Sequence, residues 1–271
     1  MQLPVPTWFV GCGNMGQAMV EGWRSAGIDL TSTVAIRPSG KLVTGLRTVT
    51  SMKDAGPAPR MIILGFKPQK LDEVAPDILP WVSSKTIIVS LLAGVEAESL
   101  RKRFPKATIV RTAPNLPVAV RRGVIPLYSA EISDDARKQV SDPFAALGFA
   151  MWTESESALG AIGAVAGAGP AYVARFIGAL ADAGTQQGLP ETLAATIALE
   201  TVFGTAWMAA SNGETMDEVA RRVASPNGTT EAGLSVLDRD DGLKQLVGKT
   251  IDAARRRGAE LAAQARGEQV A

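Results

Sequence analysis

The first half of the chain consists of short, continuous apolar runs that alternate with helix-type stretches. Six runs predict β-strands, at Trp8–Val10, Thr33–Ile36, Met61–Leu64, Thr86–Val89, Ala107–Val110 and Val124–Tyr128. Their positions are apolar throughout rather than alternately apolar and polar, which is typical of strands covered on both faces. The pattern therefore predicts a doubly wound parallel sheet, wrapped by helices, up to about residue 153.

After Trp152 the β-rich runs stop, and alanine, leucine, glycine and glutamate dominate. The periodicity predicts helices at Tyr172–Gly188, Glu191–Ser211, Met216–Val223 and Leu243–Arg266, separated by glycine, proline and asparagine. The fold class is therefore α/β plus all-α, with a doubly wound domain at residues 1–154 and a helical domain at residues 155–271.

The helical domain is apolar on nearly all faces of some helices, as in Ala194–Leu199. Such a helix must be buried on several sides, and a domain of this size offers little interior of its own. We expect a homo-oligomer that is assembled through this domain. A self-contained helical bundle is the alternative.

Composition narrows the class of protein. With 46% hydrophobic and 20% charged residues the chain is typical of a globular protein. We expect no membrane partner, because we expect no apolar run to reach the ~18 residues of a membrane helix. The N-terminal residues do not resemble a signal peptide, which favours a cytoplasmic location. A net charge of +1 gives no reason to expect nucleic acid.

Two residue types limit the chemistry. Cys12 is the single cysteine, so neither an internal disulfide nor a thiolate zinc site is expected, and we predict no metal. The chain contains no histidine, which removes the commonest general base and every Ser-His triad. Its chemistry must work without imidazole.

A glycine-rich turn, Gly-Cys-Gly-Asn-Met-Gly, follows the first predicted strand and begins a predicted helix. In this context the glycines permit a tight turn, backbone approach to a pyrophosphate and close helix–strand packing. The turn predicts a dinucleotide site, although a tight turn without a ligand is the alternative. Its predicted cofactor residues are Gly11, Gly13, Asn14, Met15 and Gly16.

The end of the second strand discriminates between NAD and NADP. An acidic residue at this place binds the ribose 2′-hydroxyl, whereas basic residues accommodate a 2′-phosphate. The segment contains Arg37, Ser39 and Lys41 and no carboxylate, which favours NADPH, with NADH possible. A solvated loop with incidental charge is the alternative.

With the fold and cofactor inferred, several segments together resemble the pyrroline-5-carboxylate reductase family. The pieces that carry the resemblance are Val10–Gly16, Phe66–Gln69, Ser90–Val95, Arg111–Pro117, Gly167–Tyr172, Asp182–Gly184, Ser225–Thr230 and Ala232–Leu234. The resemblance implies a Rossmann domain that holds NAD(P)H and a helical domain that dimerises. It further implies reduction of Δ1-pyrroline-5-carboxylate to L-proline, the last step of proline biosynthesis, in a homodimer or a higher assembly of dimers.

The resemblance assigns the substrate carboxylate to the loop that ends at Thr230. Residues 226–228 form a turn, and a helix is predicted to begin near Thr229, so its amides would face an anion. The implied substrate residues are Ser225, Gly228, Thr229 and Thr230, with Thr230 as the candidate for a hydrogen bond to the imine nitrogen. A plain helix cap is the alternative for either threonine.

Four further residues are expected on the nicotinamide side. Lys67 and Pro68 follow the third predicted strand, and ligands of parallel sheets bind at the carboxyl ends of strands. We predict that Lys67 lies near the nicotinamide ribose and that it is, with Thr230, a catalytic residue; a solvated loop lysine is the alternative. By resemblance, Pro114 and Asn115 line the nicotinamide pocket, although Pro114 could equally form a turn.

The chain departs from the family pattern at five positions near the expected active site. They are Ala113 for Met, Leu116 for Thr, Ala168 for Ser, Glu200 for Gln and Asn227 for Gly. These departures keep two alternatives open: a reductase of a different cyclic imine, or a dinucleotide-binding regulatory paralogue without turnover.

Overall fold

A computed structural model describes residues 2–265 and contains one eight-stranded sheet in the order β3-β2-β1-β4-β5-β6-β7-β8. The strands are β1 (Thr7–Val10), β2 (Thr33–Ile36), β3 (Arg47–Val49), β4 (Met61–Leu64), β5 (Ile87–Ser90), β6 (Thr108–Thr112), β7 (Gly123–Tyr128) and β8 (Gly148–Trp152). The six predicted runs all form strands, and β3 and β8 are additional.

The first six strands are parallel, but β7 runs antiparallel to β6, with Arg111 opposite Tyr128. β8 is parallel to β7, so the last two strands are both reversed. The predicted doubly wound parallel sheet is therefore confirmed, with the last two strands as the exception. The connection over residues 113–122 is shorter than the dozen or more residues that a parallel crossover requires.

Helices of this half cover both faces of the sheet. They are α1 (Asn14–Ser25), α2 (Leu71–Ile78), α3 (Ala97–Arg103), α4 (Asp134–Ala145) and α5 (Glu156–Ile162). Neighbouring residues of β1 show the two faces: Phe9 packs with Met19 and Trp23 of α1, whereas Trp8 packs in a second core with Ile78. Burial on both sides explains why the strand sequences are continuously apolar.

The remaining helices are α6 (Gly169–Gln186), α7 (Glu191–Asn212), α8 (Met216–Val223), α9 (Thr229–Leu237) and α10 (Leu243–Ala265). The four predicted helices are all found: α8 has the predicted bounds, α6 is shifted at both ends, and α7 ends one residue later. The predicted end of the last helix at Arg266 lies outside the described residues. A π-helical turn at Gly163–Gly167, between α5 and α6, was not predicted.

The chain divides into two compact units. One contains the residues up to Gly169 and those from Ala254 onward, and the other contains Pro170–Ala253. The domain boundary between residues 154 and 155 stays a prediction. Within the second unit several large apolar side chains are exposed, including the stacked rings of Phe203 and Trp207, with centroids 6.5 Å apart.

Two helical stretches, Glu156–Gln186 and Glu191–Asn212, are long and apolar enough to cross a membrane by length and composition. The expectation that no segment reaches this level is wrong for both. Only 6% and 17% of the two apolar windows is buried, so these helices present apolar surface.

Candidate active site

A cleft of about 1380 Å³ opens at the carboxyl ends of the parallel strands. Backbone hydrogen bonds join the turns that form it: Gly11 N donates to Ile36 O at 2.9 Å, Gly65 N to Val10 O at 2.9 Å, and Leu91 N to Leu64 O at 3.0 Å. The carboxyl edge of a doubly wound sheet is where such folds bind ligands.

The glycine turn forms one wall of this cleft and has space for a ligand. Gly11 has a φ of +69°, and a Cβ there would lie 2.8 Å from Phe66 Cβ. A Cβ at Gly13 would meet nothing within 4 Å, whereas one at Gly16 would lie 2.7 Å from Cys12 Sγ. The turn thus has a left-handed backbone at Gly11, free space at Gly13 and close packing at Gly16. Dinucleotide binding requires all three.

Helix α1 begins directly after this turn, with Gly13 as its N-cap. No side chain caps it, and its first turn contains no acidic residue. Its N-terminal amides and the positive end of its dipole therefore remain available to an anion. These observations fit the pyrophosphate of a dinucleotide.

The loop after β2 contributes Arg37 and Ser39 to the same cleft. Arg37 N donates to Val49 O at 2.8 Å, which attaches the start of this loop to the end of β3. The Arg37 side chain is half-buried and has no ion pair within residues 2–265. Lys41 is exposed and does not line the cleft.

Cys12 is buried beneath the glycine turn, with 3% of its surface exposed. Burial raises the pKa of its thiol to about 11, and the nearby Arg37 guanidinium opposes part of this shift. Because the thiolate is the reactive form, Cys12 is a packing residue rather than a nucleophile.

The loop after β4 brings Lys67 and Pro68 to the cleft. The Lys67 side chain is exposed, and its backbone oxygen accepts from Lys70 N at 2.9 Å. Of the predicted cofactor residues, the glycine turn, Arg37, Ser39, Lys67 and Pro68 thus share one cleft.

Pro114 and Asn115 do not line this cleft. Asn115 is 6% exposed, and both ends of its side-chain amide are used by the backbone. Its Oδ1 accepts from Val124 N at 2.8 Å, and its Nδ2 donates to Ala166 O, in the π-helical turn, at 3.0 Å. The structure therefore reveals a bracing role that the sequence did not indicate.

An ion pair near the end of β6 was also missed. Glu156 Oε1 accepts from Arg111 Nη1 at 2.6 Å and from Ala97 N, at the start of α3, at 2.8 Å. The Arg111 side chain is 13% exposed and that of Glu156 29%. Because these residues are far apart along the chain, no local pattern could have paired them.

The predicted substrate loop lies in the second unit and forms a turn, in which Gly228 N donates to Ser225 O at 2.9 Å. Gly228 is the N-cap of α9 and has no side-chain cap, so neither Thr229 nor Thr230 caps the helix. A Cβ at Gly228 would overlap Ser225 Oγ. Asn227 has a φ of +57°, which asparagine tolerates better than most residues.

Glu231 enters the same turn, because its Oε2 accepts from Asn227 N at 2.7 Å. The amides that begin α9 stay uncapped by side chains and can face an anion. Within the described part of the chain there is no group of three or more His, Cys, Asp or Glu residues suited to a metal ion.

The doubly wound sheet and its glycine turn define a Rossmann-type oxidoreductase. Residues 8–94 match the family model described as NADP oxidoreductase coenzyme F420-dependent, and residues 156–261 match pyrroline-5-carboxylate reductase dimerisation. The chain is 34% identical to a pyrroline-5-carboxylate reductase of Pseudomonas aeruginosa, covering 94% of this chain and 96% of the relative. It is 30% identical to that of Pisum sativum, covering 92% and 93%. The chain belongs to the pyrroline-5-carboxylate reductase family.

Two solved structures share the whole fold. A Plasmodium falciparum pyrroline carboxylate reductase with NADP bound superposes with a TM-score of 0.85 at 27% identity, covering 95% of this chain and 98% of the other. A pyrroline-5-carboxylate reductase from Coxiella burnetii gives 0.86 at 29% identity, covering 96% and 99%. The resemblance seen in the sequence is therefore confirmed.

Proposed function

We propose that the protein reduces Δ1-pyrroline-5-carboxylate to L-proline with NADPH, the last step of proline biosynthesis. The observation that carries the proposal is the cleft at the glycine turn. The free space at Gly13 and the uncapped N-terminus of α1 fit a dinucleotide. Family membership indicates the substrate, because the chain aligns over nearly its full length with proteins that are pyrroline-5-carboxylate reductases.

When bound, reduced nicotinamide supplies a hydride, and the residues of this chain hold and orient both reactants. The proposed cofactor residues are Gly11, Gly13, Asn14, Met15, Gly16, Arg37, Ser39, Lys67, Pro68, Pro114 and Asn115. For Asn115 the role is indirect, because its amide is already used by Val124 and Ala166.

The proposed substrate residues are Ser225, Gly228, Thr229 and Thr230. A carboxylate at the start of α9 gains from the uncapped amides and the helix dipole. Because Gly228 is the cap, the hydroxyls of both threonines stay available to a ligand. We assign Thr230 the hydrogen bond to the imine nitrogen.

An imine suits a chain without histidine. A carbonyl reductase must protonate a developing alkoxide, whereas an imine that binds protonated becomes a neutral amine as it accepts hydride. The protein's task is then positioning and exclusion of water, not proton transfer by a strong acid.

The activity is tested by following the loss of reduced nicotinamide absorbance with Δ1-pyrroline-5-carboxylate and by measuring L-proline. Thr230→Ala should lower kcat/KM for the imine by about tenfold or more, with the Kd of NADPH unchanged. Exposed Thr185→Ala is the matched control. Absence of turnover by a protein that binds NADPH would refute the proposal and favour the regulatory paralogue.

Arg37→Ala tests the choice of cofactor. Loss of a charge-assisted contact to the 2′-phosphate should raise KM for NADPH by about tenfold and leave KM for NADH nearly unchanged. Equal effects on the two cofactors would show that Arg37 does not contact the 2′-phosphate.

A second cyclic imine is the alternative substrate. Ala168 and Leu116 carry no hydroxyl where the resemblance implies one, and this difference motivates the alternative. Kinetics with a panel of cyclic imines decides between them: a higher kcat/KM for an imine without a carboxylate would favour the alternative.

We propose that the chain assembles as a homo-oligomer, a dimer or an assembly of dimers, through residues 156–261. The match to a dimerisation model and the exposed apolar side chains of the second unit support this. Light scattering on the purified protein tests it, and a monomer at micromolar concentration would contradict it. A cytoplasmic location stays a prediction.

A further inference from the structure

Lys53 lies on the wall of the cofactor cleft, in a short 3₁₀ turn, Met52–Asp54, just after β3. Strand β3 pairs with β2 so that Val49 lies beside Ile36. Arg37 N donates to Val49 O at 2.8 Å. The turn that carries Lys53 therefore begins beside the loop that carries Arg37, where the ribose phosphate of a dinucleotide is expected.

The turn is braced from one side. Arg47 Nη1 donates to Asp54 O at 3.1 Å, and its Nη2 donates to Ala55 O at 2.7 Å. Ser51 Oγ donates to Asp54 Oδ2 at 2.6 Å. The backbone under Lys53 is thus held by side chains, and the neighbouring carboxylate is bonded to a hydroxyl.

The Lys53 ammonium forms no ion pair within residues 2–265, whereas Lys70, on the same cleft, pairs with Glu73 at 3.8 Å. Arg37 likewise has no carboxylate partner there. Two cations without acidic partners, on adjacent turns of one cleft, suit a dianion better than a neutral ribose hydroxyl.

We propose that Lys53 is a second cation for the 2′-phosphate of the phosphorylated dinucleotide and, with Arg37, determines the preference for NADPH over NADH. The proposal rests on the proposed function only in taking that dinucleotide as the cofactor. It concerns binding, so it can be tested without turnover.

The test is titration of the full-length protein with NADPH and with NADH, followed by nicotinamide fluorescence. Lys53→Ala should raise the Kd of NADPH about fivefold to tenfold and change that of NADH less than twofold. Lys53→Arg should retain most of the preference. The matched control is Lys85→Ala, which should change neither Kd. Lys85 is exposed and precedes β5, so it lies at the amino ends of the parallel strands, away from the cleft.

A second probe isolates the phosphate. In competition with NADPH, adenosine 2′,5′-bisphosphate should have a higher inhibition constant for the Lys53→Ala variant than for the wild type, whereas that of adenosine 5′-monophosphate should be the same for both. Equal loss for both nucleotides, or no loss for either, would overturn the proposal. If NADPH binding behaves as expected but Δ1-pyrroline-5-carboxylate is not reduced, the proposed function fails and the role of Lys53 stands.

Discussion

Asn115 has two competing roles: the resemblance assigns it to the nicotinamide pocket, whereas in the structure its side chain braces the backbone at Val124 and Ala166. Asn115→Ala removes the acceptor of Val124 N and the donor to Ala166 O. A polar group left without a partner costs about 1–3 kcal/mol when buried. Both backbone groups belong to half-buried residues, so the lower part of that range applies to each. The expected loss is about 2–3 kcal/mol, a large part of the 5–15 kcal/mol typical of a domain.

Chemical denaturation measures this loss, and titration with NADPH measures cofactor binding on the same samples. We expect the free energy of unfolding to fall while the Kd of NADPH changes less than twofold. Asn115→Asp retains an acceptor for Val124 N but turns a carboxylate towards Ala166 O, so it should also destabilise. Leu116→Ala, at a neighbouring residue that is 54% exposed, is the control and should cost much less. Unchanged stability together with weaker NADPH binding would refute the brace and restore the direct role.

Three further perturbations test the glycine turn and the ion pair of Arg111 with Glu156. Gly16→Ala places a Cβ 2.7 Å from Cys12 Sγ, so overpacking should cost about 1–3 kcal/mol in denaturation and weaken NADPH binding in titration. Because burial raises the pKa of the Cys12 thiol from 9.0 to about 11, the folded state keeps a proton that the unfolded chain loses. Stability should therefore fall by up to about 2.7 kcal/mol as the pH rises from 9 to 11, and Cys12→Ala should lack this component. Glu156→Gln removes the charge that pairs with half-buried Arg111 and should cost about 1–3 kcal/mol by denaturation, whereas the exposed Glu154→Gln should have little effect.

The strands of the sheet could be predicted because burial on both faces leaves a local signature. Trp8 and Phe9 are adjacent and both fully buried, one in each core, so the apolar run carries the information by itself. β3 escaped prediction because Arg47–Val49 is only three residues long and partly exposed, without such a run. β8, at the edge of the sheet, is mostly half-buried.

The reversal of β7 could not be predicted from the sequence, because the predicted strands Ala107–Val110 and Val124–Tyr128 leave residues 111–123 between them, enough for a parallel crossover. In the structure both strands extend further into this segment. A strand pair that is joined by residues 113–122 has too short a connection for a parallel crossover, whereas the longer segment from β7 to β8 contains α4. Composition within the strands does not record direction. The length of the connection indicates direction, but only when the ends of both strands are known and the length is compared with that of a crossover.

The glycine turn and Asn115 mark the limit of prediction for the site. The position of each glycine in the motif predicts its steric role. The space that a Cβ would find at Gly11, Gly13 and Gly16 agrees with those roles. The amide of Asn115 joins β7 to a π-helical turn 51 residues further along the chain, and neither partner is recognisable from the residues beside it. Signals that depend on one turn could be predicted, and those that depend on tertiary contacts could not.

For the threonines of the substrate loop, the sequence predicts two possible roles but does not decide between them. A threonine before a helix has two uses for its hydroxyl, to cap the helix or to bind a ligand, and both follow from the same pattern. The choice depends on which residue adopts the extended cap conformation. That residue is Gly228, with φ −87° and ψ 170°, so Thr229 and Thr230 are already inside the first turn of α9. The helix does not use their hydroxyls as caps, and this supports the proposal that they bind an anionic substrate.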